Sequence, residues 1–128
     1  MKYLLFFAVF ILLLPSCREK SPLEIEVMAI HDEVMPKMGD LHVAKKNLRK
    51  LISETNSDSL NTIILDLITD LENADEGMMS WMHEYKVPNN DPEKTVYLEK
   101  EKVNITKVKE DMLNSLKAAH DYLAAQNK

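Results

Sequence analysis

The chain has 128 residues, with 16 lysine and arginine residues against 21 aspartate and glutamate residues and a formal net charge of −5. This acidic balance argues against a nucleic-acid partner, because phosphate backbones attract surfaces rich in lysine and arginine. Only two glycines occur. Because β-rich architectures need many glycine turns, the composition predicts a single all-α domain.

The first 16 residues have the organisation of a cleaved lipoprotein signal peptide. Lys2 supplies a positive charge, and an unbroken apolar run of 12 residues follows at positions 3–14. A membrane-spanning helix needs about 20 residues, whereas the apolar core of a signal peptide has about 7–15. The sequence Leu14-Pro15-Ser16-Cys17 then resembles a lipobox, which implies that Cys17 is acylated and becomes the first residue of the mature chain.

Cleavage before Cys17 would place the mature chain in the cell envelope, on the periplasmic side or at the outer membrane. Residues 17–21 would form a lipidated tether and residues 22–128 the helical bundle domain. Removal of Lys2 leaves 15 basic against 21 acidic residues. Cys17 is the only cysteine, so its acylation leaves no thiol for disulfides or catalysis. Stable anchoring takes more than one acyl chain, and the lipobox resemblance implies a multiply acylated cysteine.

Three amphipathic helices are predicted in the mature chain. The first begins with Ser21 as its capping residue, Pro22 in the first helical position and Glu24 completing a capping box, and it ends near Ser53. The apolar positions expected to face the core are Val27, Ile30, Val34, Leu41, Ala44, Leu48 and Leu51.

The second predicted helix has the most regular pattern. It starts around residues 57–59 and ends before Pro88, and its heptad seam consists of Leu60, Ile64, Leu67, Leu71, Ala74, Met78, Trp81 and Tyr85. A coiled-coil seam of this kind predicts that these side chains are buried.

The third predicted helix opens with Asp91 as its cap and Pro92 in the first turn, and it runs to about Ala125. Its apolar stripe consists of Ile105, Val108, Met112, Leu116, Ala119 and Leu123. Short connections place neighbouring helices antiparallel to each other. The predicted fold class is therefore all-α, an elongated up-down-up three-helix antiparallel bundle.

Motifs for catalysis are missing from the sequence. His83-Glu84 does not continue into a zinc-protease HExxH motif, and two isolated glycines cannot form a phosphate-binding loop. The Glu-x-x-His pairs of di-iron bundles also do not occur, since the residues three before the histidines are Met28, Gly39, Ser80 and Lys117. The sequence therefore predicts a protein that is not an enzyme, with no catalytic residue to assign.

One cluster of residues stands out. Six of the seven methionines of the mature chain fall in two windows, at residues 28–38 and 78–82. Folding the first two helices about a loop near Asn56 brings residue 31 level with about residue 81, so the windows face each other. Pro36 and Gly77 weaken the two helices at this level and could leave room for a pocket. The candidate metal ligands are His31, Met35, Met38, Met78, Met82 and His83.

Three interpretations of this cluster remain open. Methionine is a flexible side chain that fills irregular core space, so the cluster could be simple packing. Methionine-rich surfaces also adapt to varied protein partners or ligands. Finally, thioethers and imidazoles suit Cu(I), and haem held by methionine and histidine is a variant of that hypothesis.

The segments VMAIHDEVMPKMGD at residues 27–40 and MMSWMHEY at residues 78–85 resemble a group of Bacteroidota lipoproteins that are sometimes labelled after viral A-type inclusion protein repeats. The resemblance implies a lipoprotein with an all-α mature domain, and it brings no activity and no catalytic residues. The sequence as a whole predicts a membrane-anchored envelope protein whose small bundle binds or scaffolds another component. The alternative is a periplasmic protein that binds Cu(I) or haem.

Overall fold

The computed structural model describes residues 19–54 and 57–126, without the side chain of Ser53. The predicted signal peptide and Cys17 lie outside these residues. The described chain is all-helical, with α1 at Pro22–Val34, α2 at Lys37–Glu54, α3 at Asp58–Glu84 and α4 at Asp91–Gln126. None of these four helices is both long enough and apolar enough to cross a membrane.

The first predicted helix is broken in the structure into α1 and α2. The break lies at Met35 and Pro36, where the Met35 N–H still donates to the His31 carbonyl at 2.8 Å. Proline has no N–H and its ring clashes with the carbonyl four residues earlier, so the helical ladder cannot continue through Pro36. The bundle therefore has three helical arms, of which the first contains a proline break.

Two helix starts show how the sequence sets the boundaries. The Ser21 hydroxyl accepts a hydrogen bond from the Glu24 N–H at 3.2 Å, which confirms the predicted cap of α1. The cap of α4 differs from the prediction, because the side chain of Asn90, and not that of Asp91, accepts from the Glu93 N–H at 3.1 Å. Asn and Asp are equally good caps, so the sequence Asn-Asp-Pro does not decide between them.

The core contains residues from all four helices. Its buried apolar side chains are Val27, Val34, Leu41, Ala44, Leu48, Ile64, Ile68, Leu71, Ala74, Met78, Trp81, Leu98, Ile105, Met112, Leu116 and Ala119. The long helix α4 packs against each of the other three, so the core runs along its whole length. Most of the predicted stripe of each helix is therefore confirmed as core.

The seam of α3 departs from the prediction in its first three turns. Leu60 is 39% exposed and Leu67 is only partly buried, whereas Ile68, which the seam left out, is buried at 5% exposure. A straight helix has 3.6 residues per turn and a heptad averages 3.5, so a strict seven-residue pattern drifts around the helix. The prediction that Leu60 is buried was wrong for this reason. Leu67 packs against the core but is only partly buried, and Leu71 is fully buried.

Ion pairs connect the helices along their length. Between α2 and α3, Lys45 contacts Asp75 at 2.9 Å and Arg49 contacts Glu72 at 2.6 Å. Between α1 and α4 there are three pairs, Glu24 with Lys94, Glu26 with Lys102 and Glu33 with Lys109. In this second set every acid comes from α1 and every lysine from α4.

Candidate functional site

Four rings form a continuous row beside the C-terminal end of α3. The centroid distances are 5.6 Å from His31 to Trp81, 4.8 Å from Trp81 to Tyr85 and 6.0 Å from Tyr85 to Tyr97. Trp81 is in the last turn of α3 and Tyr85 is the residue that follows this helix, while His31 comes from α1 and Tyr97 from α4. Each ring contact of this kind stabilises the fold by about 0.5–1.5 kcal/mol beyond the burial of apolar area. The row therefore helps to hold three helices together.

His31 lies on the level that the folded sequence predicts. Its ring stacks on Trp81 with an interplanar angle of 29°, which confirms that residue 31 faces residue 81. The His31 Nδ1 lies 2.8 Å from a carboxylate oxygen of Asp32, and the His31 side chain is only 14% exposed. A carboxylate beside Nδ1 favours the tautomer that carries its proton there, so Nε2 is left with a free lone pair.

The methionines of the cluster occupy three kinds of environment. Met78 is fully buried in the core, and Met79 is 54% exposed. The partly buried methionines pack against the edge of the core, and they are Met28, Met35, Met38 and Met82. Only this third group combines a fixed position with some access from outside.

His83 does not share a face with Trp81. It is exposed, and two helical residues correspond to a rotation of about 200° around α3. The structure therefore brings His31 to Trp81 but places His83 on the opposite side of the helix. Gly77 also does not break α3, which is continuous from Asp58 to Glu84.

Buried charges lie close to the aromatic row. Lys94 and Glu101 are 6% and 8% exposed, and both are on α4. The Lys94 Nζ contacts a carboxylate oxygen of Glu24 at 2.8 Å, and Glu101 accepts a hydrogen bond from the Asn104 side chain at 3.1 Å. Buried charges are costly unless they are paired or hydrogen-bonded, and these partners reduce that cost.

The apolar pattern of α4 does not include this buried charged group, although the sequence holds a signal for it. The predicted stripe of α4 begins at Ile105, but its steps of four and three residues continue back through Glu101, Leu98 and Lys94. Charged residues on an apolar seam are a warning of buried ion pairs. A stripe defined by apolar residues alone excludes Lys94 and Glu101.

The two tyrosines titrate unusually in this environment. Burial raises the pKa of Tyr85 to about 12, and the negative charge of Glu24 acts in the same direction. Burial also raises the pKa of Tyr97, although its hydroxyl accepts a hydrogen bond from the Lys86 N–H at 2.6 Å, which opposes the shift. Both phenols therefore remain protonated well beyond neutral pH.

Two polar atoms of the row have no hydrogen-bond partner in the described structure, the Trp81 Nε1 and the Tyr85 hydroxyl oxygen, and both are buried. Such atoms are uncommon in folded proteins. The row is therefore held by ring contacts and packing at these positions.

Four grooves on the described surface are lined by residues other than His31 and Trp81. One of about 480 Å³ runs between α3 and α4 and is lined by Asp70, Asn73, Ala74, Asp111, Asn114, Ser115 and Ala118. Within residues 19–54 and 57–126, no three histidine, cysteine, aspartate or glutamate side chains form a group that could hold a metal ion. This absence concerns histidine, cysteine and carboxylate ligands, and it does not bear on a site that includes methionine sulfur.

Comparison with known proteins does not add a family to this picture. No protein-family model, no curated protein and no solved structure matches the chain.

Proposed function

We propose that this chain is a lipid-anchored protein of the cell envelope whose helical bundle binds or scaffolds a protein partner and catalyses no reaction. The lipobox at Cys17 supports the anchor, and the resemblance to Bacteroidota lipoproteins agrees with it. The bundle would begin within a few residues of the membrane surface, because residues 17–21 form the whole tether.

The proposed topology is up-down-up. The ion pairs support it, because residue numbers fall on α3 as they rise on α2, from Lys45 with Asp75 to Arg49 with Glu72. In the ion pairs between α1 and α4 the residue numbers increase together on both helices, as they do between parallel helices. In this arrangement the start of α4 lies near the tether, and the connection between α2 and α3 lies at the far end of the bundle.

The observation that carries the binding proposal is the uncovered start of α3. Leu60 and Ile63 are 39% and 44% exposed and lie three residues apart, on one face of the helix. The heptad pattern predicted Leu60 as a core residue, but Leu60 and Ile63 form an exposed apolar surface. In the proposed topology this surface lies at the end of the bundle away from the lipid. We propose that this face receives an apolar helix or loop of an envelope protein.

Site-specific photo-crosslinking in living cells tests this proposal. A photoreactive residue at Ile63 is expected to give one discrete adduct, identified by mass spectrometry as a different protein. The matched control is Val103 on α4, which is also apolar and is 69% exposed. An adduct of two copies of this chain would make the face a self-association surface, and equal labelling from both positions would contradict a specific partner.

A second candidate function is Cu(I) binding in the envelope. The observation that favours it is His31, whose Nδ1 lies 2.8 Å from Asp32. Met28 and Met35, both partly buried, precede and follow it by about one helical turn. Imidazole and thioether are suitable Cu(I) ligands, and a chain with an acylated cysteine has no thiol to offer. Haem remains a variant of this candidate, and no further residue supports it.

Competition with a chromophoric Cu(I) chelator under reducing conditions tests the second candidate. Cu(I) is expected to bind at about one equivalent, as a single site of few soft ligands requires. A Met35→Ile, Met82→Ile double variant that retains its helical circular dichroism is expected to lose this binding. If the unaltered chain does not compete with the chelator, the methionines serve packing or partner binding alone.

A further inference from the structure

His31 has the local geometry of a metal-binding histidine. Metal-bound histidines commonly donate their second ring N–H to a carboxylate, which fixes the tautomer and makes the metal-binding nitrogen more basic. Asp32 occupies this position, since its carboxylate oxygen lies 2.8 Å from the His31 Nδ1. Nε2 is then the ring nitrogen with a lone pair for a ligand.

Trp81 supplies an electron-rich face beside the same histidine. The indole centroid lies 5.6 Å from that of the imidazole, and Trp81 is 7% exposed. The face of an indole attracts cations within about 6 Å, and the attraction grows when the site is shielded from water. A cation bound at His31 would therefore share its environment with the only tryptophan in the chain.

Methionines lie close in sequence to both rings of this contact. Met35 follows His31 by one turn on the α1 arm, and Met82 is next to Trp81 on α3. Both are partly buried and packed on the core, unlike Met78, which lies inside it. One imidazole with two thioethers is a soft, nearly neutral ligand set that suits a monovalent soft cation better than Zn²⁺ or Mg²⁺.

We propose that the Nε2 of His31 and the thioethers of Met35 and Met82 bind Cu(I) or Ag(I) beside the indole of Trp81. This proposal rests on the second candidate function and deepens it, because it assigns the ligands and places the ion next to one reporter ring. His83, Met38 and Met78 are left outside the ligand set. Asp32 acts as a positioning residue that holds the imidazole without touching the ion.

Ag(I) titration with Trp81 fluorescence as the readout tests the assignment. The experiment uses the full chain in detergent with Cys17→Ser throughout, because a free thiol would bind Ag(I) more strongly than a thioether does. Fluorescence is expected to change and to saturate at about one equivalent, as one site requires. His31→Gln is expected to weaken the binding at least about tenfold, whereas His42→Gln, at an exposed histidine of α2, leaves it unchanged.

A second variant guards against loss of the fold. Asp32→Asn changes an exposed side chain outside the core, and it is expected to weaken binding by about tenfold while the helical circular dichroism stays the same. If the chain competes with the chelator for Cu(I), but His31→Gln binds as tightly as the unaltered chain and Trp81 fluorescence does not change with Ag(I), the ion binds elsewhere. That result overturns this proposal and leaves the second candidate function intact. Absence of any competition overturns both.

Discussion

The Nζ of Lys94 lies 2.8 Å from a carboxylate oxygen of Glu24, and the two side chains are only 7% and 16% exposed. This pair connects the first turn of α1 to the first turn of α4, close to the aromatic row. The sequence assigns Glu24 to a capping box, but its carboxylate binds an almost buried lysine of another helix. The pair therefore helps to define which ends of the helices meet.

Breaking this pair on one side is expected to be costly. Lys94→Met leaves Glu24 as a nearly buried carboxylate without a cation, which should lower the free energy of unfolding by about 3–5 kcal/mol. The combined Glu24→Leu, Lys94→Met variant should recover most of that loss, because no uncompensated charge remains. Urea denaturation followed by circular dichroism measures both.

The matched control for this prediction is Lys107→Met, since Lys107 pairs with Asp111 at the surface with an exposure of 72%. Its effect should stay below about 1 kcal/mol, as for other exposed ion pairs. Equal losses from Lys94→Met and Lys107→Met would show that Lys94 is not buried in solution.

Leucines on α3 should differ in their contribution to stability according to their burial. Leu71 is fully buried, so Leu71→Ala should cost about 2–5 kcal/mol through lost apolar contact and a cavity. Leu67→Ala should cost clearly less, because Leu67 is only partly buried. Leu65 is 53% exposed, and its replacement by alanine should stay within about 0.5 kcal/mol of the unaltered chain. The order of the three urea midpoints tests the observed seam, and a larger loss at Leu67 than at Leu71 would contradict it.

The two glycines should be replaceable with a gain in stability. Both lie inside helices, and a Cβ added at Gly39 or Gly77 meets nothing within 4 Å. Alanine in a helix is favoured over glycine by about 0.5–1 kcal/mol. Thermal denaturation of Gly39→Ala and Gly77→Ala should therefore show a higher melting temperature for each. A lower melting temperature for Gly77→Ala would mean that α3 needs a flexible or closely approached residue at this point.

The hydroxyl of Tyr85 should make stability depend on pH only under alkaline conditions. An unperturbed tyrosine has a pKa of 10.0, and the pKa of Tyr85 in the folded chain is about 12. Between these values the unfolded chain releases a proton that the folded chain keeps, so the free energy of unfolding falls as the pH rises. Below pH 10 both states are protonated and this contribution is complete.

Tyr85→Phe should reduce the alkaline decrease in the free energy of unfolding. Urea denaturation at pH 9 and pH 11 measures it, because these values lie on either side of the ordinary tyrosine pKa of about 10. At neutral pH the variant should be nearly as stable as the unaltered chain, because the buried hydroxyl has no partner to lose. Tyr97 keeps part of the alkaline dependence, since burial raises its pKa as well. An unchanged slope in Tyr85→Phe would show that Tyr85 is not the titrating group.

Much of the fold could be predicted from spacing alone, because three long helices with short connections have few ways to bury their apolar faces. The contact between His31 and Trp81 could be predicted as well, because the two residues are about equally far along the chain from the loop near Asn56. Leu60 and Leu67 could not be placed, because a strict heptad and a straight helix diverge over several turns. The burial of Lys94 depends on Glu24 of another helix, and the apolar pattern of a single helix does not contain that partner.

The lipid anchor at Cys17 is the central proposal for this protein, and mass spectrometry of the mature N-terminus tests it directly. Protein extracted from membranes should begin at Cys17 and carry the added mass of more than one acyl chain. Cys17→Ser should leave the precursor uncleaved by the lipoprotein peptidase and without lipid. A mature chain that begins at another residue, or that carries an unmodified Cys17, would contradict the proposal of a lipid-anchored envelope protein.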